Sequence, residues 1–244
     1  MDNTTYVGLS RQMTLRRELE IVANNVANAD TTGFKVEALM TGTEQRRPAK
    51  DEQLPHAVRF VLDHGVARDF GQGSLSRTEN PLDLAVEGDA FLTVETANGD
   101  RYTRDGRLRI DAGGRLVTQT GDPVLGEGGE PLTLRVDGPS PSIASDGTIS
   151  QGDVLVGRLS LVRFDNLSAL SKEGDGRFLA DGIEPQPAPD AQVRQGMLES
   201  SNAKPVLEMV KMIELSRAYE RVTRMIDNTQ DLSRRAVERL GRTS

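Results

Sequence analysis

The sequence predicts an α+β chain, with a central all-β antiparallel domain flanked by long N- and C-terminal helices. Three observations carry this. Apolar residues recur at alternating spacings of three and four near both ends: Leu15, Leu19, Val22 and Val26, then Met212, Leu215, Tyr219, Val222 and Ile226. Short apolar and β-branched runs fill the centre, divided by Asn-Gly, Asp-Gly and Gly-Gly pairs. A proline-rich stretch, Pro185 to Pro189, marks the return from strands to helix.

The C-terminal helix is the best-defined element. Three-and-four spacing is the seam of a helix that lies along another helix. Such a helix is marginal alone, because its stability comes from packing the apolar stripe. The matching spacing near the N-terminus supplies a partner, so the two are expected to pair as an antiparallel, coiled-coil-like stem. Beyond Ile226 the seam fades to Thr229, Ser233, Ala236 and Leu240. Ser200, Ser201 and Asn202 offer capping side chains, and Pro205 suits the first turn, where its missing N–H matters little. Glu208 then falls near the positive end of the helix dipole.

The first helix runs from about Tyr6 to Asn28. The polar run Asn28-Ala29-Asp30-Thr31-Thr32-Gly33 stops it, since Asn and Gly tolerate the left-handed backbone that closes helices. Phe34 follows as an apolar plug. Residues 1–35 thus form the first half of the stem. Residues 36–72 show no period and read as a connector, with a charged, Pro-broken loop from Arg46 to Glu52. Residues 73–184 form the β domain. Phe91–Glu95 turns at Asn98-Gly99 into Arg101–Arg104, Asp105-Gly106 turns into Arg107–Ile110, and Gly113-Gly114 turns into Arg115–Thr118. These are hairpin signals. Further strands are expected at Leu132–Val136, Thr148-Ile149 and Leu159–Phe164. Residues 185–199 read as a stiff connector and 200–244 as the closing helix.

Composition narrows the function. The net charge of −7 argues against nucleic-acid binding. The absence of cysteine excludes disulfides and thiolate metal sites. No stretch approaches the roughly 18 apolar residues of a membrane helix. The opening residues lack the basic-then-apolar plan of a secretory signal peptide. His56 and His64 have no convergent ligands nearby, so no metal and no cofactor are expected. Asp83, Asp89 and Asp105 could pair as acid and base like those of a glycoside hydrolase, but aspartates beside glycine are usually turn formers. Glu173-Gly174-Asp175-Gly176 lacks the regular acidic ligands of a calcium loop and reads as a turn. Catalysis is not expected.

Four blocks go beyond periodicity. ANNVANADTTGFK (Ala23–Lys35), GSLSRTENPLDLAVEGDAFL (Gly73–Leu92), YTRDGRLRIDAGGRLV (Tyr102–Val117) and QGMLESSNAKPVLEMVKMIELSRAYE (Gln195–Glu220) resemble, in order, the signatures of the bacterial flagellar rod and hook proteins. The opening is most similar to the proximal-rod branch, with a distal-rod member carrying a short connector as the alternative. A periplasmic carbohydrate-binding or wall-hydrolysing β domain is the alternative from another class. Ala90 and Lys204 depart from the usual pattern, touching a turn and a helix cap.

The resemblance implies a non-catalytic axial subunit of the basal body, exported by the flagellar type III apparatus without a cleaved signal. It implies partners among itself and other rod proteins, in a rod that crosses the periplasm and transmits torque. Terminal helices would pack into the inner tube and β domains into the outer layer. Leu15, Leu19, Val22, Val26 and the C-terminal seam are then packing residues. Thr32, Gly33, Phe34, Asn202 and Pro205 are motif and turn residues. Asn24, Asn25 and Asn28 sit where asparagine is unfavourable in a helix, or at its stop. The amides of Asn24 and Asn25 are expected to bond to a neighbouring subunit or to the returning helix.

Overall fold

The computed structural model describes residues 2–46 and 58–241. The predicted loop residues 47–52 and His56 lie outside the described residues, as do the side chains of His64, Ser233, Ala236 and Leu240. The chain divides into two compact units. The first draws on residues 2–27, 37–68 and 204–241, and the second on residues 28–36 and 69–203.

The first unit contains helix α1 (Asp2–Ala27), strands β1 (Glu37–Arg46) and β2 (Val58–Arg68), and helix α2 (Pro205–Gly241). The helices run antiparallel. A Cβ on Gly8 would lie 3.0 Å from Cγ1 of Ile226. Gln12 Nε2 donates to Thr223 Oγ1 at 3.1 Å, and Asn25 Nδ2 donates to Glu208 Oε2 at 3.0 Å. Partners therefore descend along α2 as positions rise along α1. Pro205 opens α2, as expected, and Lys204 O accepts the Glu208 N–H at 3.0 Å.

The expected connector holds a β-ribbon instead. β1 and β2 pair antiparallel from Glu37 opposite Arg68 to Arg46 opposite Val58, with a bulge between Leu39 and Thr41. Where side chains are described, Ala38 and Met40 are exposed and Leu39 is half-buried. None of these positions is fully buried, and where burial is weak register is weakly specified and the sequence carries little period to read.

The second unit is built from fifteen further strands. They are β3 (Leu75–Arg77), β4 (Leu84–Glu87), β5 (Phe91–Thr96), β6 (Gly99–Thr103), β7 (Leu108–Ile110), β8 (Leu116–Thr118), β9 (Ser142–Ile143) and β10 (Thr148–Gln151). Then follow β11 (Val154–Arg158), β12 (Leu161–Arg163), β13 (Leu170–Gly174), β14 (Arg177–Ala180), β15 (Gln186–Pro187), β16 (Gln192–Gln195) and β17 (Met197–Glu199). The largest sheet has six strands in the order β13-β14-β6-β5-β12-β15, joined antiparallel throughout. Successive residues of β5 point to opposite faces. Leu92 and Val94 join an aliphatic core, and Phe91 joins a cluster with Phe70, Tyr102, Phe164, Leu170 and Phe178. Aromatics are only 4% of the chain, yet five meet here edge-on at centroid distances from 4.8 to 5.9 Å. Concentration compensates for scarcity.

The Asn98-Gly99 hairpin joins β5 to β6, and Gly113-Gly114 joins β7 to β8. Asp105-Gly106 makes no hairpin, because β6 pairs with β5 and β14 while β7 pairs with β8. Glycine is needed there for close approach: a Cβ on Gly106 would lie 1.6 Å from the Leu84 carbonyl oxygen. Leu132 and Leu134 are buried as an alternating strand requires, but the stretch makes only isolated bridges.

The second expected connector also belongs to the β unit. β15, β16 and β17 pair with β12, β4 and β3, and Val193 is buried. Pro187 is accommodated because β15 is the sheet edge, where a missing N–H breaks no ladder.

Candidate functional site

Two sets of buried polar contacts involve the motif residues. The first ties α1 to β1 and α2. Asn25 is 1% exposed. Its Oδ1 accepts from the Glu37 N–H at 3.0 Å, and its Nδ2 donates to the Glu37 carbonyl at 2.8 Å and to Glu208. One amide thus satisfies both backbone groups of Glu37 and one carboxylate oxygen of a buried Glu208. The other Glu208 oxygen accepts from Lys211 Nζ at 2.5 Å, and the Glu37 carboxylate receives Arg68 Nε at 2.8 Å.

Of the three asparagines, Asn24 is exposed on α1. Asn28 ends the helix through its carbonyl, which accepts the Thr31 N–H at 3.1 Å, and its Oδ1, which accepts from Thr31 Oγ1 at 3.2 Å. Of the Asn and Gly in this run that could take a left-handed backbone, Gly33 does, with φ +68°. A Cβ on Gly33 would lie 2.7 Å from the Arg104 carbonyl carbon.

The second set lies within the β unit. Glu199 is fully buried. Its Oε1 accepts from Lys35 Nζ at 2.6 Å and from the Gly73 N–H at 2.8 Å. Its Oε2 faces Arg104 Nη1 at 3.5 Å, an ion pair without a hydrogen bond. Its carbonyl accepts the Gly33 N–H at 2.8 Å. Lys35 also donates to the Gly71 carbonyl at 2.8 Å. Arg104 donates from Nη2 to the Gly88 carbonyl at 2.7 Å and stacks 4.8 Å from the Phe91 ring centroid. Burial, helped by the neighbouring Arg104 cation, lowers the Lys35 pKa from the ordinary lysine value against the pull of Glu199. Burial lowers that of Arg104 as well.

Asn202 completes this arrangement instead of capping α2. Its Oδ1 accepts the Val36 N–H at 2.8 Å, and its Nδ2 donates to the carbonyls of Asp69 and Gly71 at 2.8 and 3.1 Å. Phe34 is buried beneath Lys172, whose Nζ lies 4.5 Å from the ring centroid, and Thr32 is half-buried.

The seam residues divide by burial. Leu15 and Val22 are buried, while Leu19, Val26, Met212, Leu215, Tyr219, Val222 and Ile226 are half-buried. Leu15 and Leu215 line one groove of about 490 Å³ between the helices, rimmed by Arg11, Lys211, Arg217 and Arg221. Sequence reading missed Ile21, Lys35, Arg104, Glu199 and the burial of Glu208. Lys35 and Glu199 carried only a faint signal, as charges set directly beside the apolar Phe34 and Leu198.

Asp83 and Asp105, two of the carboxylates considered for hydrolysis, serve local structure. Asp83 accepts from Asn80 Nδ2 at 3.0 Å. Asp105 holds Arg107 through Nε and Nη2 at 2.9 and 2.7 Å and accepts its N–H at 3.1 Å. Glu173 pairs with Arg101, and Asp175 takes a positive φ in the β13–β14 turn.

Residues 6–35 match the family described as flagella basal body rod protein, and residues 85–151 match the flagellar hook protein FlgE/F/G D1 domain. Residues 194–239 match the flagellar basal body rod FlgEFG protein C-terminal family. The chain is 54% identical to the flagellar basal-body rod protein FlgF of Caulobacter vibrioides over 243 residues, 99% of each chain. It belongs to the FlgF family of flagellar basal-body rod proteins. FlgF of Mesorhizobium japonicum is 36% identical over 100% of both chains, and FlgF of Rhizobium meliloti 33% over 99% of both. Seen against these matches, the buried cluster takes one residue from each family segment: Lys35 from the first, Arg104 from the second and Glu199 from the third.

Proposed function

We propose that this chain is a structural subunit of the flagellar basal-body rod, placed in its proximal part. There it polymerises with itself and other axial proteins into the shaft that crosses the periplasm and carries torque. The full-length identity to FlgF chains carries this reading. α1 and α2 act as an antiparallel, coiled-coil-like stem whose seam is only half covered in one chain, and the β unit forms the outer layer. Half-covered seam residues suit a heterologous contact that repeats without closing, which generates a helical polymer. The chain performs no catalysis and reaches the rod through the flagellar export apparatus without a cleaved signal. Asn24, exposed on α1, is placed to bond a neighbouring subunit, while Asn25 serves the chain's own fold.

The test is complementation of a strain lacking this gene with Leu215→Asp. A charge placed in a contact that becomes dry on assembly is expected to cost several kcal/mol, about the penalty of an unpaired buried polar group. The variant should be made and exported while rods stop early and swimming is lost. Normal swimming would overturn the proposal that this seam is buried between subunits.

A further inference from the structure

The contacts around Glu199 have a property that assembly does not require. Most ties between residues 33–36 and the rest of the β unit run through Glu199, Asn202 or the carbonyl of Gly71. The exceptions are the Asp69 N–H, which donates to the Val36 carbonyl at 3.0 Å, and Lys172, whose Nζ lies over the Phe34 ring. Gly33 N–H meets Glu199 O, Lys35 Nζ meets Glu199 Oε1 and Gly71 O, and Val36 N–H meets Asn202 Oδ1. Meanwhile the β5–β6 ladder and both cores stand on other residues.

The charge count is also lopsided. Lys35 and Arg104 have side chains only 1% exposed, and Glu199 is the one carboxylate within ion-pairing distance of them among the described residues. Asp69 and Asp89 attract the two cations from farther off. Arg104 Nε and Nη1 and Glu199 Oε2 have no hydrogen-bond partner. A buried cluster of this kind is sensitive to loss of one member, because the remaining charges stay desolvated and unpaired. Removing the carboxylate leaves two neighbouring cations in a dry site.

We infer that residues 33–36 and 199–202 form a detachable clasp locked by the Glu199 carboxylate, which opens as a unit while the rest of the β unit stays folded. Close approach is built into both sides of it. A Cβ on Gly73 would lie 1.9 Å from the Ser200 carbonyl oxygen, and Gly33 fits against the Arg104 backbone. Such tight backbone contact leaves little room for partial displacement, which suits opening as one unit. Local opening in cooperative segments below the global unfolding free energy is a general property of folded chains. The device gives the chain a state in which the segments bearing its N- and C-terminal motifs are released from a folded β unit. This inference stands apart from the rod reading, since it concerns one chain in solution.

The test is amide hydrogen exchange on the purified full-length chain. Glu199→Gln keeps the size of the side chain and an acceptor for Gly73 but removes the charge. Exchange at Gly33 and Val36 should rise about tenfold or more, with the β5–β6 ladder unchanged. A triple variant, Lys35→Met with Arg104→Met and Glu199→Met, removes all the charges together and should return Gly33 and Val36 to within about threefold of the parent. Unchanged exchange in Glu199→Gln would overturn the lock. An equal rise in the β5–β6 ladder would show that no separate unit opens. A triple variant as open as the single one would show that charge is not what holds the clasp.

Discussion

Asn25 and Glu208 are 183 positions apart and meet side chain to side chain, with Nδ2 of one 3.0 Å from Oε2 of the other. An asparagine in the last turns of α1 is unfavourable by local propensity. Its buried amide explains its presence: it satisfies Glu37 in both directions and a carboxylate of α2 at once. That one contact links the end of the first helix to the start of the last. It therefore fixes which turn of α1 faces which turn of α2.

Asn25→Ala should accordingly destabilise the chain by about 1–3 kcal/mol or more, since it strands buried groups on Glu37 and Glu208. Asn24→Ala, on an exposed position, should stay within about 0.5 kcal/mol of the parent. Urea unfolding followed by helical circular dichroism separates the two. Equal effects from both substitutions would contradict the assignment of distinct roles.

Glycines give a second test, confined to the β unit. Gly73→Ala and Gly106→Ala put a methyl 1.9 and 1.6 Å from carbonyl oxygens of Ser200 and Leu84. Each should lose about 1–3 kcal/mol or more, as overpacking against backbone does. Gly128 has nothing within 4 Å of the added carbon, so Gly128→Ala serves as the neutral control. Thermal unfolding measures all three, and a stable Gly106→Ala would mean that the Leu84 approach is looser than described.

Acid should reveal the pair between Arg101 and Glu173. The hydrogen bond from Arg101 lowers the Glu173 pKa from the ordinary 4.5. As pH falls, the unfolded chain therefore binds this proton first. The stabilisation is fully present above the unfolded-state value and fades as pH drops through the lower folded one. Glu173→Gln should thus melt earlier than the parent at neutral pH, with the gap closing in acid. A gap of constant size down through the acid range would rule the pair out as its source.

What the sequence made legible follows from the range of the forces involved. The two helices and the Asn98-Gly99 turn are local, so spacing and dipeptides reveal them. The strand expected at Leu132–Val136 is reduced to isolated bridges, yet Leu132 and Leu134 are buried, because burial sets alternation and hydrogen bonding does not. The ribbon of β1 and β2 left no trace, since its described residues carry no apolar alternation that spacing could reveal. Pro187 looked like a linker because proline is read as a breaker, and only the sheet order shows that it occupies an edge. Lys35 and Glu199 were the hardest to see. Their pairing spans 164 positions, and nothing in the neighbourhood of either residue specifies the other.

The last prediction concerns the face of α2 that its own chain leaves uncovered. Val206, Val210 and Ile213 follow one another at helical spacing and are 69%, 48% and 53% exposed, whereas Met212 and Leu215 are half-buried. A row of exposed aliphatic side chains on one helix is the kind of patch that marks an interaction surface. If the chain is a rod subunit, this row is covered in the assembled shaft and nowhere else. Ile213→Asp should then leave the melting of the purified chain within about 0.5 kcal/mol of the parent, as expected for an exposed position. Leu15→Asp, at a fully buried position in the groove between the helices, should unfold the helical unit in the same assay. In cells lacking the native gene, Ile213→Asp should be produced at normal levels yet fail to restore swimming. Full motility with Ile213→Asp would mean that this row faces water in the rod, and the packing surface would have to be sought on α1 instead.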